Sequence, residues 1–173
     1  MKSSTAITTD KPKLFDTEND ITAIRRSELN ALMNKRLASA VDLQTQVKQA
    51  HWNVKGPNFI GLHELFDKIN ESVESYVDLI AERIVQLGGV AQGTARIAAE
   101  RSQLAEYPHD ISDGLAHVEA LSKSLSTFGQ EARATINEAN KLDDADTADI
   151  FTEISRGTDK WLWFVEAHSQ SAK

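Results

Sequence analysis

A chain of 173 residues is long enough for one domain with a substantial core, and the absence of cysteine excludes disulfides, thiolate metal sites and a cysteine nucleophile. Nineteen basic residues against 26 acidic ones give a formal charge of −7. That balance argues against a dedicated nucleic-acid binder, whose phosphate contacts need concentrated positive charge, and suits attraction of cations.

Residues 1–20 are polar and aperiodic, without the apolar stretch of a signal peptide, and read as a flexible tail. No later run approaches a membrane span, so the default expectation is a cytoplasmic protein. Residues 21–170 read as one all-α domain. From about residue 21 to residue 47, Leu29, Met33, Leu37, Ala40 and Val47 recur at helical spacing. The stretch NVKGPN, from Asn53 to Asn58, ends that helix. A second helix, from about Gly61 to Leu87, carries Leu62, Phe66, Ile69, Val73, Tyr76, Ile80 and Ile84, and Gly88-Gly89 stops it. A long connection follows, in which ARIAAER can form a short helix. Ile111, Leu115, Val118, Leu125, Phe128, Ala132 and Ile136 mark a third long helix, and Phe151, Ile154, Trp161, Leu162 and Val165 mark a fourth. Four amphipathic helices must bury their stripes against one another. With a long connection between the second and third, the expected fold is a ferritin-like four-helix bundle with a single crossover.

The second helix also carries chemistry. His63 and Asp67 are four residues apart and share a face, as do Asp78 and Glu82. Imidazole and carboxylate without thiolate suit iron or another transition metal. Eleven positions separate Asp67 from Asp78, about 16 Å along one helix, whereas metal–ligand bonds are about 2 Å. One helix cannot close both pairs around a single centre. A second copy antiparallel across a two-fold axis can, bringing His63 and Asp67 of one chain to Asp78 and Glu82 of the other. His51, just before the turn, can approach His63. On residue types alone, a solvated polar helix face explains these positions as well as a metal site does. The only literal Glu-x-x-His, Glu106 to His109, contains a proline and falls in the connection.

The stretch KQAHWNVKGPNFIGLHELFD, from Lys48 to Asp67, followed by Asp78 and Glu82, resembles the Dps family, the ferritin-like DNA-binding proteins from starved cells. DTADIFTEISRGTDKWLWFVEAH, from Asp146 to His168, extends the resemblance over nearly the whole chain after residue 20. It implies a homo-dodecameric hollow shell built from two-fold dimers, with ferroxidase centres at the two-fold interfaces. These oxidise Fe²⁺, commonly with hydrogen peroxide rather than oxygen, and the ferric product is stored inside. Each centre has room for two iron ions. Carried over by position, His51, His63 and Asp67 come from one subunit and Asp78 and Glu82 from its partner, with Asp78 acting partly through a metal-bound water. The alternative within the resemblance is a structural protein that compacts and shields DNA in the nucleoid. Residues 1–20 hold Lys2, Lys11 and Lys13 against Asp10, Asp16, Glu18 and Asp20, so weak or absent DNA binding is expected.

Other residues carry narrower expectations. By the same resemblance Trp52, beside His51, lies near the centre, where packing is expected ahead of the alternative, interception of a stray oxidising equivalent. Of Trp161 and Trp163, one is expected to face the bundle and the other an assembly interface. Asp143, Asp144, Asp146 and Asp149, with Glu138 as a further contributor, resemble the acids that line three-fold pores in the family. Arg156 and Asp159 are expected in structural ion pairs, along the fourth helix or across an interface.

Overall fold

The computed structural model describes residues 13–170. Five helices occur among them: α1 (Ala23–Asn53), α2 (Phe59–Gln86), α3 (Ala95–Arg101), α4 (Gly114–Lys141) and α5 (Ala145–Glu166). The four long helices pack in a ring, α1 on α2 and α4, and α5 on α4 and α2, while α3 lies against α1. The Lys55 N–H donates to Ser112 O at 2.8 Å, so α4 begins at the end of the bundle where α2 begins. The chain from residue 87 to residue 113 therefore travels back the full length of the bundle. The domain is all-α and ferritin-like, with the single crossover that the long connection implied.

Leu29, Met33, Leu37 and Leu43 of α1 meet Phe66, Ile69, Ile80 and Ile84 of α2 and Leu121, Phe128, Phe151 and Ile154 of α4 and α5, all essentially fully buried. Each such side chain contributes about 1.5–3 kcal/mol relative to exposure. Trp161 joins this core, whereas Trp163 is 63% exposed.

α1 runs beyond its apolar stripe to Asn53, where the NVKGPN stretch was expected to end it, and His51 lies in its last turn. One helix terminus differs from the sequence expectation. The third long helix starts at Gly114 rather than Ile111. Asp113 is its N-cap, accepting from the N–H groups of Leu115 and Ala116 at 3.0 and 3.3 Å. With that start, the buried face runs through Gly114, His117, Val118, Leu121 and Leu125, and Leu115 points outward at 53% exposure.

Part of the segment expected as a tail is tied down, while residues 1–12, with Lys2 and Lys11, lie outside the described residues. The Phe15 N–H donates to Gly88 O at 2.7 Å, and the buried Arg26 guanidinium donates to Leu87 O at 3.1 Å and Phe15 O at 3.3 Å. Arg26 thereby satisfies a carbonyl that the end of α2 leaves free. Gly88 lies at φ 76°, in the left-handed region that glycine enters without strain, and closes that end.

At the same end, Arg83 and Asp144 form a buried ion pair of 2.8 Å, and Arg83 Nε also donates to Thr147 Oγ1 at 3.1 Å. Asp144 is in turn the N-cap of α5. Breaking a buried pair of this kind by removing one member typically costs about 3–5 kcal/mol, because the other charge is left uncompensated. Asp159 pairs with Arg133 of α4 at 2.8 Å, not with Arg156: α4 and α5 lie side by side, so the cross-helix partner is better placed.

Candidate metal centre

Two short elements bring His51 and His63 together. The NVKGPN turn, with Gly56 at φ 108°, reverses the chain so that the last turn of α1 faces the second turn of α2. The two imidazoles stack at 3.7 Å between ring centres. His51 Nδ1 lies 2.9 Å from His63 O, and His63 Nδ1 lies 2.9 Å from His51 O. A carbonyl oxygen only accepts, so each Nδ1 must carry the hydrogen and donate. His51 O is available because the last carbonyls of a helix have no donor within it. The reciprocal pair fixes both tautomers and leaves each Nε2 lone pair free of that bonding, the usual arrangement behind a ligating histidine.

Asp67, one turn beyond His63, accepts from Lys48 Nζ at 2.7 Å, and its Oδ1 lies 3.8 Å from His51 Nδ1. The hydrogen bond from the Lys48 ammonium holds the Asp67 carboxyl below its ordinary range against desolvation, with smaller contributions from His51 and His63. It is ionised at neutral pH and already in contact with a cation. Asp78 and Glu82 are exposed on the C-terminal half of α2, one turn apart. The structure therefore gathers His51, His63 and Asp67 at one end of α2 and leaves Asp78 and Glu82 well along the helix. Among the described residues, no three histidine, aspartate or glutamate side chains converge tightly enough to enclose an ion within one chain. Neutral imidazole nitrogen with carboxylate oxygen is a donor set for a divalent transition-metal cation rather than for Ca²⁺ or Mg²⁺.

Trp52 does not close the helix junction. It is 68% exposed, because one step along α1 from the half-buried His51 rotates it outward. It lines a cavity of about 850 Å³ together with Lys48, Glu74 and Tyr107. Glu106 and His109 are both exposed and lie only 3.7 Å apart in the crossover.

The acidic corner divides. Asp143 is exposed and pairs with Arg25 at 2.8 Å, Glu138 pairs with Lys141 at 2.7 Å, and Asp146 and Asp149 are exposed. Asp144, at 2% exposure, is committed to Arg83 and to the cap of α5, so within this chain it is a structural acid rather than a surface one.

Two further features were not singled out in the sequence. Lys48 sits three residues before His51, a spacing that shares a helix face, and this could have marked it as a neighbour of the site. His117 was hidden by a misphased stripe: counting back from Leu121 and Leu125, rather than including Leu115, puts it on the buried face.

The Ferritin-like domain family matches residues 30–173. A DNA protection during starvation protein of Agrobacterium fabrum is 42% identical over 158 residues, covering 91% of this chain and 98% of that protein. The chain belongs to the ferritin-like Dps family. Solved Dps structures agree. DpsA14 from Streptomyces coelicolor superposes with a TM-score of 0.88 at 34% identity, covering 94% of this chain and 96% of that one. Dps from Microbacterium arborescens in the high iron form gives 0.79 at 30% identity, with 85% and 95% covered. No helix among the described residues is long and apolar enough to cross a membrane.

Proposed function

We propose that this Dps-family chain is a cytoplasmic ferroxidase and iron-storage protein. It oxidises Fe²⁺ at centres shared between two subunits and holds the ferric product inside a dodecameric shell. The observation that carries the proposal is the reciprocal His51–His63 hydrogen bonding, which leaves two Nε2 lone pairs free, with the ionised Asp67 one turn beyond His63. The high iron form of the Dps from Microbacterium arborescens supports iron as the cation.

Iron is the substrate. Fe²⁺ arriving at Asp67 competes with the Lys48 ammonium, and its second charge favours the exchange. His51 and His63 add imidazole nitrogen, and a partner subunit supplies Glu82 with Asp78 beside it, directly or through water. Carboxylates favour the higher charge of Fe³⁺ and so draw the reaction forward. Two Fe²⁺ give up one electron each, and hydrogen peroxide takes both with two protons to become two waters. Consuming iron and peroxide together limits hydroxyl-radical release. Anaerobic loading with Fe²⁺ followed by peroxide or oxygen, with retained iron counted after gel filtration, tests the proposal. Faster oxidation with peroxide and iron co-eluting with a shell are expected. Oxidation no faster than in buffer, or iron that does not co-elute, contradicts it.

We assign passage of iron to the acidic corner, with Asp143, Asp146 and Asp149 as its exposed acids and Glu138 nearby. Three-fold repetition of these charges focuses a negative potential on the pore. Joint replacement of the three by asparagine should slow uptake at low salt, and the difference should shrink as salt rises. Uptake unchanged at low salt in an intact shell contradicts the assignment. Asp144→Asn is excluded from that variant, because it would disturb the buried pair with Arg83.

DNA compaction is the weaker function, given three lysines against four acids in residues 1–20. Gel shifts should show only complexes that dissolve at physiological salt, and a complex that resists it, lost on removing residues 1–12, would restore a nucleoid role.

A further inference from the structure

Tyr107 and His117 are buried and take no part in the ligand set. Tyr107 lies in the crossover and His117 in the first turn of α4. The phenol oxygen and His117 Nδ1 are 2.7 Å apart, with the two rings inclined by only 15°. Burial raises the phenol pKa and lowers that of the imidazole, so a neutral phenol faces a neutral imidazole. The Asn53 backbone partly opposes that lowering, and His117 Nε2 has no hydrogen-bond partner of its own. In the tautomer that carries the ring hydrogen on Nε2, Nδ1 is the acceptor and Tyr107 the donor.

A buried polar pair of this kind is not required for stability, since two apolar groups of the same shape serve about as well. Its chemistry is more specific. Phenol oxidation is unfavourable unless the proton leaves with the electron, and a lone pair 2.7 Å away is a ready acceptor. Tyr107 also shares a cavity wall with Trp52, the exposed indole next to His51.

We propose that Tyr107 and His117 form a proton-coupled one-electron donor that disarms hydroxyl radicals formed when Fe²⁺ meets peroxide, with Trp52 as the first residue oxidised. The inference rests on the ferroxidase function above. In the side reaction, Fe²⁺ reduces peroxide to hydroxide and a hydroxyl radical. The radical takes one electron from the Trp52 indole and becomes hydroxide. Trp52 recovers that electron from Tyr107, whose phenolic proton passes to His117 Nδ1, leaving a neutral tyrosyl radical beside an imidazolium. Reduction by one further Fe²⁺ returns the electron, and the proton moves back to the phenol. The oxidising equivalent is thereby held in the protein interior, away from solvent.

The test uses the full-length protein in two arms, read by freeze-quench electron paramagnetic resonance. One arm adds peroxide to the Fe²⁺-loaded protein; the other exposes iron-free protein to azide radicals as a one-electron oxidant. The chain has only two tyrosines, so Tyr76→Phe and Tyr107→Phe together with ring-deuterated tyrosine assign any tyrosyl signal. The expected result is a tyrosyl radical in both arms with an exchangeable proton coupling, kept in Tyr76→Phe and lost in Tyr107→Phe, while iron oxidation by Tyr107→Phe stays at the native rate. A signal that persists in Tyr107→Phe, or none in the native iron-free protein, overturns the inference. A signal confined to the iron-free arm overturns its link to iron. Native iron oxidation with no Tyr107 radical in either arm removes the donor pair and leaves the ferroxidase intact. Conversely, a Tyr107 radical in the iron-free arm with no iron oxidation removes the ferroxidase and leaves the donor pair.

Discussion

Iron oxidation falls by at least about 100-fold in His63→Ala and in Glu82→Ala, a loss at or beyond the upper end of what removing a mere supporting group costs a metal site. The two variants are informative because neither disturbs its surroundings by more than the lost side chain. In His63→Ala the backbone carbonyl that accepts from His51 Nδ1 is still present, so the His51 tautomer is unchanged and one ligand is removed. Glu82 is exposed, and replacing such a residue usually shifts stability by no more than about 0.5 kcal/mol. Stopped-flow oxidation of Fe²⁺ by peroxide measures the rates, and thermal unfolding of each variant checks the fold. A native rate in either variant would remove that residue from the centre. Asp78→Ala should be milder, since water can bridge the gap that a second-tier carboxylate leaves.

The fold was readable because its determinants are periodic. Leu62, Phe66, Ile69, Val73, Ile80 and Ile84 repeat at a spacing that only a helix buries on one side, and the structure buries all of them. The crossover followed from chain length between two such stripes. What escaped was phase and partner. The Asp113 cap resets the start of α4, which turns Leu115 outward and His117 inward, and hydrophobicity alone does not register a cap. Asp159 was expected in an ion pair along its own helix or across an interface, and its partner proves to be Arg133 of α4, because ion pairs across packed helices depend on a geometry that spacing does not contain. Trp52 was expected to pack near the centre, and its angular position on α1 leaves it exposed within the single chain.

The site was legible to a different degree. Residue types and four-residue spacing pointed to His63 with Asp67 and to Asp78 with Glu82, but on their own they left a polar helix face equally open. Tertiary contact supplied the distinguishing feature. His51 and His63 lock each other's tautomers through backbone carbonyls, an interaction between residues twelve positions apart across a turn. Asp144 shows the reverse. It looked like one of four equivalent acids, and its burial against Arg83 separates it from the rest.

Sharing of each centre between two chains is most directly tested by mixing inactive subunits. His63→Ala and Glu82→Ala proteins are dissociated, combined in equal amounts and reassembled, with native mass spectrometry confirming that subunits have exchanged. A two-fold interface is isologous, so each mixed dimer has two centres. One combines both lesions. The other joins an intact His51, His63 and Asp67 set to an intact Asp78 and Glu82 set. With random pairing half of the dimers are mixed, and roughly a quarter of all centres should be whole. Shared centres predict recovery of iron oxidation towards about that fraction of the native rate, from two proteins that have almost none. Exchange demonstrated by mass with oxidation still absent would contradict them, because a centre built within one chain stays broken in every subunit of the mixture.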